Sequence, residues 1–256
     1  MKEFRISRRD GLVALGAGLG AALLGAGPAG RAAAAGAREG VSRASSAPPG
    51  AVGYSITILN NSALDGMNAI LFQEMPVLPS DAVTLAWMSK MCHPSTTVEY
   101  QWNIDYNFVW GQVGALVPGT QFVAGQTLSA DLTQNNLVTL SYVGGGFEFG
   151  PTNSSGNNGS LIIKEDATVP GAGDQDQGSV GIGMSGAGTF VVPTLTNAGV
   201  EFDPKPTYWI AFGSFESSEV MDISELTTPA QVSYPAGMTS AKAVFDGKGW
   251  TISYGS

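Results

Sequence analysis

One stretch, Val98 to Trp110, limits the fold of this chain more than any other. Every second residue in it (Val98, Tyr100, Trp102, Ile104, Tyr106, Phe108, Trp110) is large and apolar or aromatic. The intervening set is Glu99, Gln101, Asn103, Asp105, Asn107 and Val109, polar except for the last. Strand side chains alternate between faces, so a period of two sends one set to a core and the other to water. That pattern argues for an antiparallel sheet with one solvated face. The run is long for a single strand. A bend or bulge is expected near Asp105 to Asn107, where turn-forming side chains sit.

The rest of the chain reads the same way from Tyr54 onward. Short alternating or apolar runs recur at Tyr54–Leu59, Ala69–Gln73, Val83–Met88, Val113–Val117, Gln121–Leu128, Leu137–Tyr142 and Phe147–Phe149. They continue at Leu161–Lys164, Val180–Met184, Thr189–Val192, Val200–Phe202, Tyr208–Phe215, Gln231–Tyr234, Ala241–Phe245 and Trp250–Tyr254. Glycine, proline and asparagine separate them. Only Ser217–Leu226 suggests a turn or two of helix. No internal repeat is visible. The expectation is an all-β fold: a single antiparallel β-sandwich, jelly-roll-like, over residues 53–256.

Residues 1–37 read as a targeting segment. Arg8 and Arg9 form a twin-arginine pair before a soft run of Ala, Gly and Leu, although Gly11 stands where the twin-arginine motif has a large apolar residue. Ala33-Ala34-Ala35 and Ala35-Gly36-Ala37 are small-x-small cleavage candidates. A retained membrane anchor is the competing reading, and the glycine-diluted run makes a poor one. Residues 38–52 are a linker of Ser, Ala, Pro and Gly, expected to be disordered. The expected destination is outside the cell, by the twin-arginine route, which carries folded proteins. A chain whose one cysteine, Cys92, permits no internal disulfide suits that route.

Charge narrows the partners. The formal net charge is -9, and after Arg43 the only cations are Lys90, Lys164, Lys205, Lys242 and Lys248. Nucleic-acid binding needs clustered cations against phosphates, and anionic lipid attracts the same clusters, so neither partner fits.

Sites of catalysis are hard to build. Gly181-Ile182-Gly183-Met184-Ser185-Gly186 spells G-x-G-x-x-G, but strand-forming residues follow it where the dinucleotide fingerprint needs a helix. A glycine-rich hairpin explains it better. Ser185 does not complete G-x-S-x-G, because Ala187 ends the pattern. His93 is the only histidine, and it adjoins Cys92. Adjacent residues on an extended chain face opposite ways, which counts against a Cys92–His93 dyad. Glu99, Asp105, Glu216, Glu219 and Asp222 offer carboxylates for glycoside hydrolysis, with no means of pairing two across a cleft. No cofactor is required. Calcium is the open alternative, with Asp174 and Asp176 as ligands and Glu165 and Asp166 nearby, though no EF-hand spacing is present.

Aromatic residues suggest binding instead. Trp87 and Trp209 break the phase of their runs and are expected to be exposed, where they would stack on a sugar. With His93 they make the candidate ligand-binding set.

Several phrases resemble the RhiA family, the rhizosphere-expressed proteins of root-nodule bacteria and their bacterial relatives. They are Tyr54–Ser62, Leu85–Lys90, His93-Pro94, Asp105–Trp110 and Ser179–Thr189. The resemblance runs from Tyr54 to Tyr254. It implies abundant expression near roots under cell-density control, with no established catalytic activity, so no catalytic residue carries over. It points to the patches Trp87–Pro94 and Gly181–Gly188 as places for a site. The expected protein is an exported, non-enzymatic binding or surface-interaction module whose ligand is an extracellular glycan. The alternatives are a secreted hydrolase using carboxylates or the Cys92/His93 patch, and a membrane-active, toxin-like sandwich.

Overall fold

The Val98–Trp110 stretch breaks into two strands that enter different sheets. In the computed structural model, which describes residues 53–255, the break falls at Ile104-Asp105. The leader expected at 1–37 and the linker at 38–52 lie outside the described residues. The strands are β1 (Gly53–Asn60), β2 (Asn68–Glu74), β3 (Val83–Thr84), β4 (Met88–Met91), β5 (Thr97–Asn103), β6 (Tyr106–Gly111), β7 (Ala124–Ala130), β8 (Leu137–Val143) and β9 (Gly146–Phe149). They continue with β10 (Leu161–Glu165), β11 (Ser179–Met184), β12 (Ala187–Pro193), β13 (Gly199–Phe202), β14 (Thr207–Gly213), β15 (Thr227–Val232), β16 (Ser240–Phe245) and β17 (Trp250–Gly255). One 3-10 turn, Ile223–Glu225, is capped by the Asp222 carboxylate.

The fold is all-β and made of packed sheets. Sheet I has the order β17-β16-β1-β5 and sheet II the order β15-β14-β2-β4. Between them lie Ile56, Ile58, Tyr100, Trp102, Ala243 and Phe245 from sheet I and Leu71, Tyr208, Ile210 and Phe212 from sheet II. Sheet III runs β3-β12-β11-β6-β7 and sheet IV β13-β10-β8-β9. They enclose Phe108, Val180, Ile182 and Phe190 against Val138, Leu140, Leu161, Ile163 and Phe202. Two sandwiches therefore share the chain. The second is built from one continuous piece, β6 to β13, with β3 added at its edge, and that piece is inserted between β5 and β14 of the first. All described residues fall in a single compact unit. Most strand pairs are antiparallel, but β1–β16 and β8–β10 are parallel, and in each the chain passes through other strands before returning.

Alternation survives in β5, where Tyr100 and Trp102 are buried and Glu99 and Gln101 exposed. It fails in β6, which lies between β11 and β7 and is covered on both sides. Val109 packs with Leu85, Phe122, Val191 and Val220 on the outer face of sheet III, while Phe215, Met221 and Leu226 cover Ile70 and Phe72 on the outer face of sheet II. Ile104, at the break, is 49% exposed.

The G-x-G-x-x-G phrase is the β11–β12 hairpin. Ser185 and Gly186 both have positive φ, 53° and 77°, as a two-residue primed turn requires. A Cβ at Gly181 would run into the Phe190 carbonyl, and one at Gly183 into the Ala187 carbonyl, so the glycines permit the close approach of β12. Several expected strands are corrected: Val83–Met88 is split, with β3 ending at Thr84 and β4 starting at Met88, and the strand expected at Gln231–Tyr234 lies at Thr227–Val232. Val113–Val117 is irregular, leaving Val117 exposed, and the strand expected at Gln121–Leu128 lies at Ala124–Ala130, because Phe122 is drawn into the outer core of sheet III.

Candidate functional site

The second sandwich closes on one side and stays open on the other. On the β7/β9 side the Gln126 side-chain oxygen accepts from both Trp110 Nε1 at 3.0 Å and the Phe149 amide at 3.0 Å, tying the two sheets together. On the opposite side β12 and β13 stand at the margins of sheets III and IV, and β3 covers only two residues of β12. A cavity of about 360 Å³ occupies this opening. Its walls are the end of β12 (Val192, Pro193), β13 (Gly199, Val200, Glu201), the loop Pro79–Asp81 before β3, and Gln177.

Glu165 is its chemical centre. Leu161, Ile163 and Glu165 form one in-facing row of β10, because alternate strand residues share a face. The row ends with a carboxylate where the pattern calls for an apolar side chain. Glu165 is 5% exposed. Its Oε2 accepts the Leu195 amide at 2.7 Å. Burial pushes its pKa up to about 7, partly offset by that amide bond. The surrounding loops are held by hydrogen bonds. Thr194 Oγ1 donates to the Pro170 carbonyl at 2.7 Å, Gln177 Nε2 donates to the Thr194 carbonyl at 3.0 Å, and the Asp174 carboxylate accepts the Gly171 amide at 2.7 Å. A concave apolar pocket with one perturbed carboxylate has the features of a small-ligand site.

Residues singled out from the sequence are scattered. Trp87 was expected to be exposed and is instead 2% exposed, between β3 and β4. Its Nε1 donates to the Met184 carbonyl at 3.1 Å, so it pins the first sandwich to the β11–β12 hairpin. Trp209 is half-buried, stacked on Phe72 in the outer face of sheet II, with its Nε1 donating to Thr207 Oγ1. His93 is exposed and pairs with Asp65 at 2.7 Å, whose carboxyl this contact holds below the usual carboxylate range. These three share no cavity with Glu165.

Cys92 faces inward, fully buried, its thiol 3.6 Å from the Thr96 carbonyl, and so does not meet His93. Asp174 is engaged in its own turn, and Asp176 lies beside the Tyr142 hydroxyl. Among the described residues no three His, Cys, Asp or Glu side chains converge as a metal site. The carboxylates considered for hydrolysis also hold local structure. Asp105 accepts from the Ser185 amide, Glu219 from the Glu216 amide, and Asp222 from the Ser224 amide.

Glu165 appeared in the sequence only as a neighbour of the calcium candidates. The available signal was its phase, a charged residue on the apolar face of Leu161-Ile162-Ile163-Lys164-Glu165.

Comparison with known proteins gives the chain a family context. The family model described as RhiA matches residues 51–255. The curated Protein RhiA of Rhizobium leguminosarum bv. viciae is 32% identical over 191 residues, covering 72% of this chain and 79% of that protein. No solved structure matches the chain.

Proposed function

The chain belongs to the RhiA family, and on that premise we propose that it is an exported, non-catalytic protein that binds a small polar molecule in the Glu165 pocket. The observation that carries this reading is the buried carboxylate inside a cavity with largely aliphatic inner walls. A group so placed raises the free energy of the empty protein, and a ligand that hydrogen-bonds it relieves that penalty.

Support for export comes from the Arg8-Arg9 pair, the apolar run behind it and the Ala-x-Ala sites. Support for a non-catalytic role comes from the separation of reactive groups. His93 and Asp65 form an oriented pair at the surface, but the neighbouring thiol of Cys92 points into the core. The carbohydrate expectation finds little help in the pocket, because none of its described lining residues is aromatic.

The test is a thermal-shift panel of amino acids, monosaccharides, diols and aliphatic amines, run on the exported chain and on Ala198→Trp, which fills the cavity from its wall. A member that stabilises the wild type and not Ala198→Trp supports the reading. Stabilisation that persists in Ala198→Trp overturns it.

A further inference from the structure

We infer that the Glu165 pocket selects a small organic cation, an aliphatic amine or amidine, over neutral molecules of the same shape. The inference rests on the pocket being the ligand site and adds the chemical class of the ligand.

The charges around the cavity all have one sign. Glu165 lies within it, and Asp81 and Glu201 stand on its more exposed walls. None of the described lining residues is Lys, Arg or His. Lys164, next to Glu165 in sequence, is exposed on the opposite face of β10. The one ion pair among the described residues is His93–Asp65, so no cation among them neutralises Glu165. Low-dielectric walls around like charges focus a negative potential into the cleft and raise the local concentration of cations.

Glu165 has capacity to spare. One carboxylate oxygen accepts the Leu195 amide, and the other has no hydrogen-bond partner among the described residues. A buried carboxylate is stabilised most by a charge-assisted hydrogen bond from an N–H cation. Asp81 and Glu201 are spaced around the rim, and Glu201 already accepts from Asn157 Nδ2 at 3.2 Å. A single inner carboxylate with two outer ones suits a ligand with an inner ammonium and a polar or cationic tail.

Two other ligand classes fit less well. A bare divalent ion needs several oxygens at once, and no three of these carboxylates converge as a metal site among the described residues. A sugar is held by a flat aromatic surface as well as by hydrogen bonds, and the apolar part of the described walls is aliphatic, with Val192, Leu195, Val200 and two prolines. Those aliphatic walls suit a chain of methylenes. The cavity volume is at the small end of ligand sites.

The experiment is isothermal titration at pH 8 of the exported chain with putrescine, agmatine, 1,4-butanediol and glucose. Putrescine and 1,4-butanediol have the same carbon skeleton and differ in charge. The expected result is binding of at least one of the two cations, with the diol at least about tenfold weaker, equivalent to about 1.4 kcal/mol. Glu165→Gln is expected to weaken cation binding at least tenfold. Asp81→Asn, on an exposed loop, is expected to weaken it several-fold and to lessen its salt dependence. Binding of glucose or butanediol as tight as that of either cation, and lost in Ala198→Trp, keeps the pocket and overturns the cation. Cation binding unchanged in Glu165→Gln overturns it too, as does failure of both cations to bind. Cation binding that survives Ala198→Trp overturns the pocket itself.

Discussion

The two sandwiches are built alike and finished differently. The first closes along both margins. Lys90 reaches from β4 to the Glu99 carbonyl and lies over the Tyr100 ring, joining β4 to β5. Trp250 Nε1 donates to the Thr228 carbonyl, and Tyr254 Oη accepts the Ser233 amide, joining β17 to the β15 side. Its interior holds a nest of rings. Trp102 lies 5.6 Å from Trp87, 5.0 Å from Tyr208, and 5.9 Å from both Tyr54 and Tyr234, centroid to centroid. The second sandwich is tied on one margin only and places a carboxylate in the open one. The closed half has the packing expected of a stability element, and the open half presents a buried carboxylate to a cavity, as a binding element would.

Among truncations that remove a side chain, the largest effect that would test this division is in the ring nest. Trp102→Ala removes a side chain that is 2% exposed and touches four other rings, and is expected to cost about 3–5 kcal/mol. A urea melt followed by far-UV circular dichroism measures it. Where the variant remains folded, ligand binding at the Glu165 pocket should be unchanged. A loss below about 1 kcal/mol would show that the closed half is not the stability element.

Next is the hairpin shared by both halves. Gly181→Ala puts a methyl against the Phe190 carbonyl on the neighbouring strand, where backbone rather than a flexible side chain must yield. Such overpacking costs about 1–3 kcal/mol. Gly186→Ala has open space around its Cβ but a φ of 77°, so its penalty comes from backbone strain alone and should be the smaller of the two. Equal losses would place the constraint in the turn and not in the close approach of β12.

Glu165 sets a pH signature on the open half. Its folded pKa, about 7, lies above its ordinary value of 4.5, so the folded state holds a proton that the unfolded state has released. Stability therefore falls as pH rises from about 4.5 to about 7, on the order of 1–2 kcal/mol once solvent screening is allowed for. Glu165→Gln should remove this step and melt above the wild type at pH 8. Chemical denaturation at pH 4.5, 6 and 8 reads it, and parallel curves for the two proteins would show that Glu165 is not the titrating group.

Strands were legible in both halves before the structure, and the open margin with its Glu165 pocket was not. Alternation in Val98–Trp110 marks Tyr100, Trp102 and Phe108 as core, which they are, but also Ile104, which is exposed; the bend expected near Asp105 to Asn107 falls slightly earlier, at Ile104-Asp105. Period two is a local signal and carries that far. It does not show that β5 and β6 belong to different sheets, nor that β1 pairs in parallel with β16, because those partners are set by contacts far apart in sequence. Trp87 misled for a related reason. It breaks phase because the chain leaves β3 and crosses to sheet II there, and the core of the first sandwich buries it. Glu165 was visible as an acid on an apolar face. Its meaning depends on which strand ends the sheet above it, and that is topology.

The smallest expected effect separates two neighbours within the closed half. Cys92 and His93 lie on extended chain after β4 and point opposite ways, one into the core and one to water with its side chain 61% exposed. His93→Ala breaks the Asp65 contact, a surface pair screened by salt, and should leave the urea midpoint at 0.15 M salt indistinguishable from wild type. Cys92→Asp puts a charge among Trp87, Trp102 and Phe245 in the same core cluster and should prevent stable folding. In the native protein the thiol should resist iodoacetamide until urea opens the first sandwich, because access limits its reactivity. Rapid alkylation of folded protein would mean that the first sandwich opens locally beside His93, and the contrast between a closed half and an open one would then have to be redrawn.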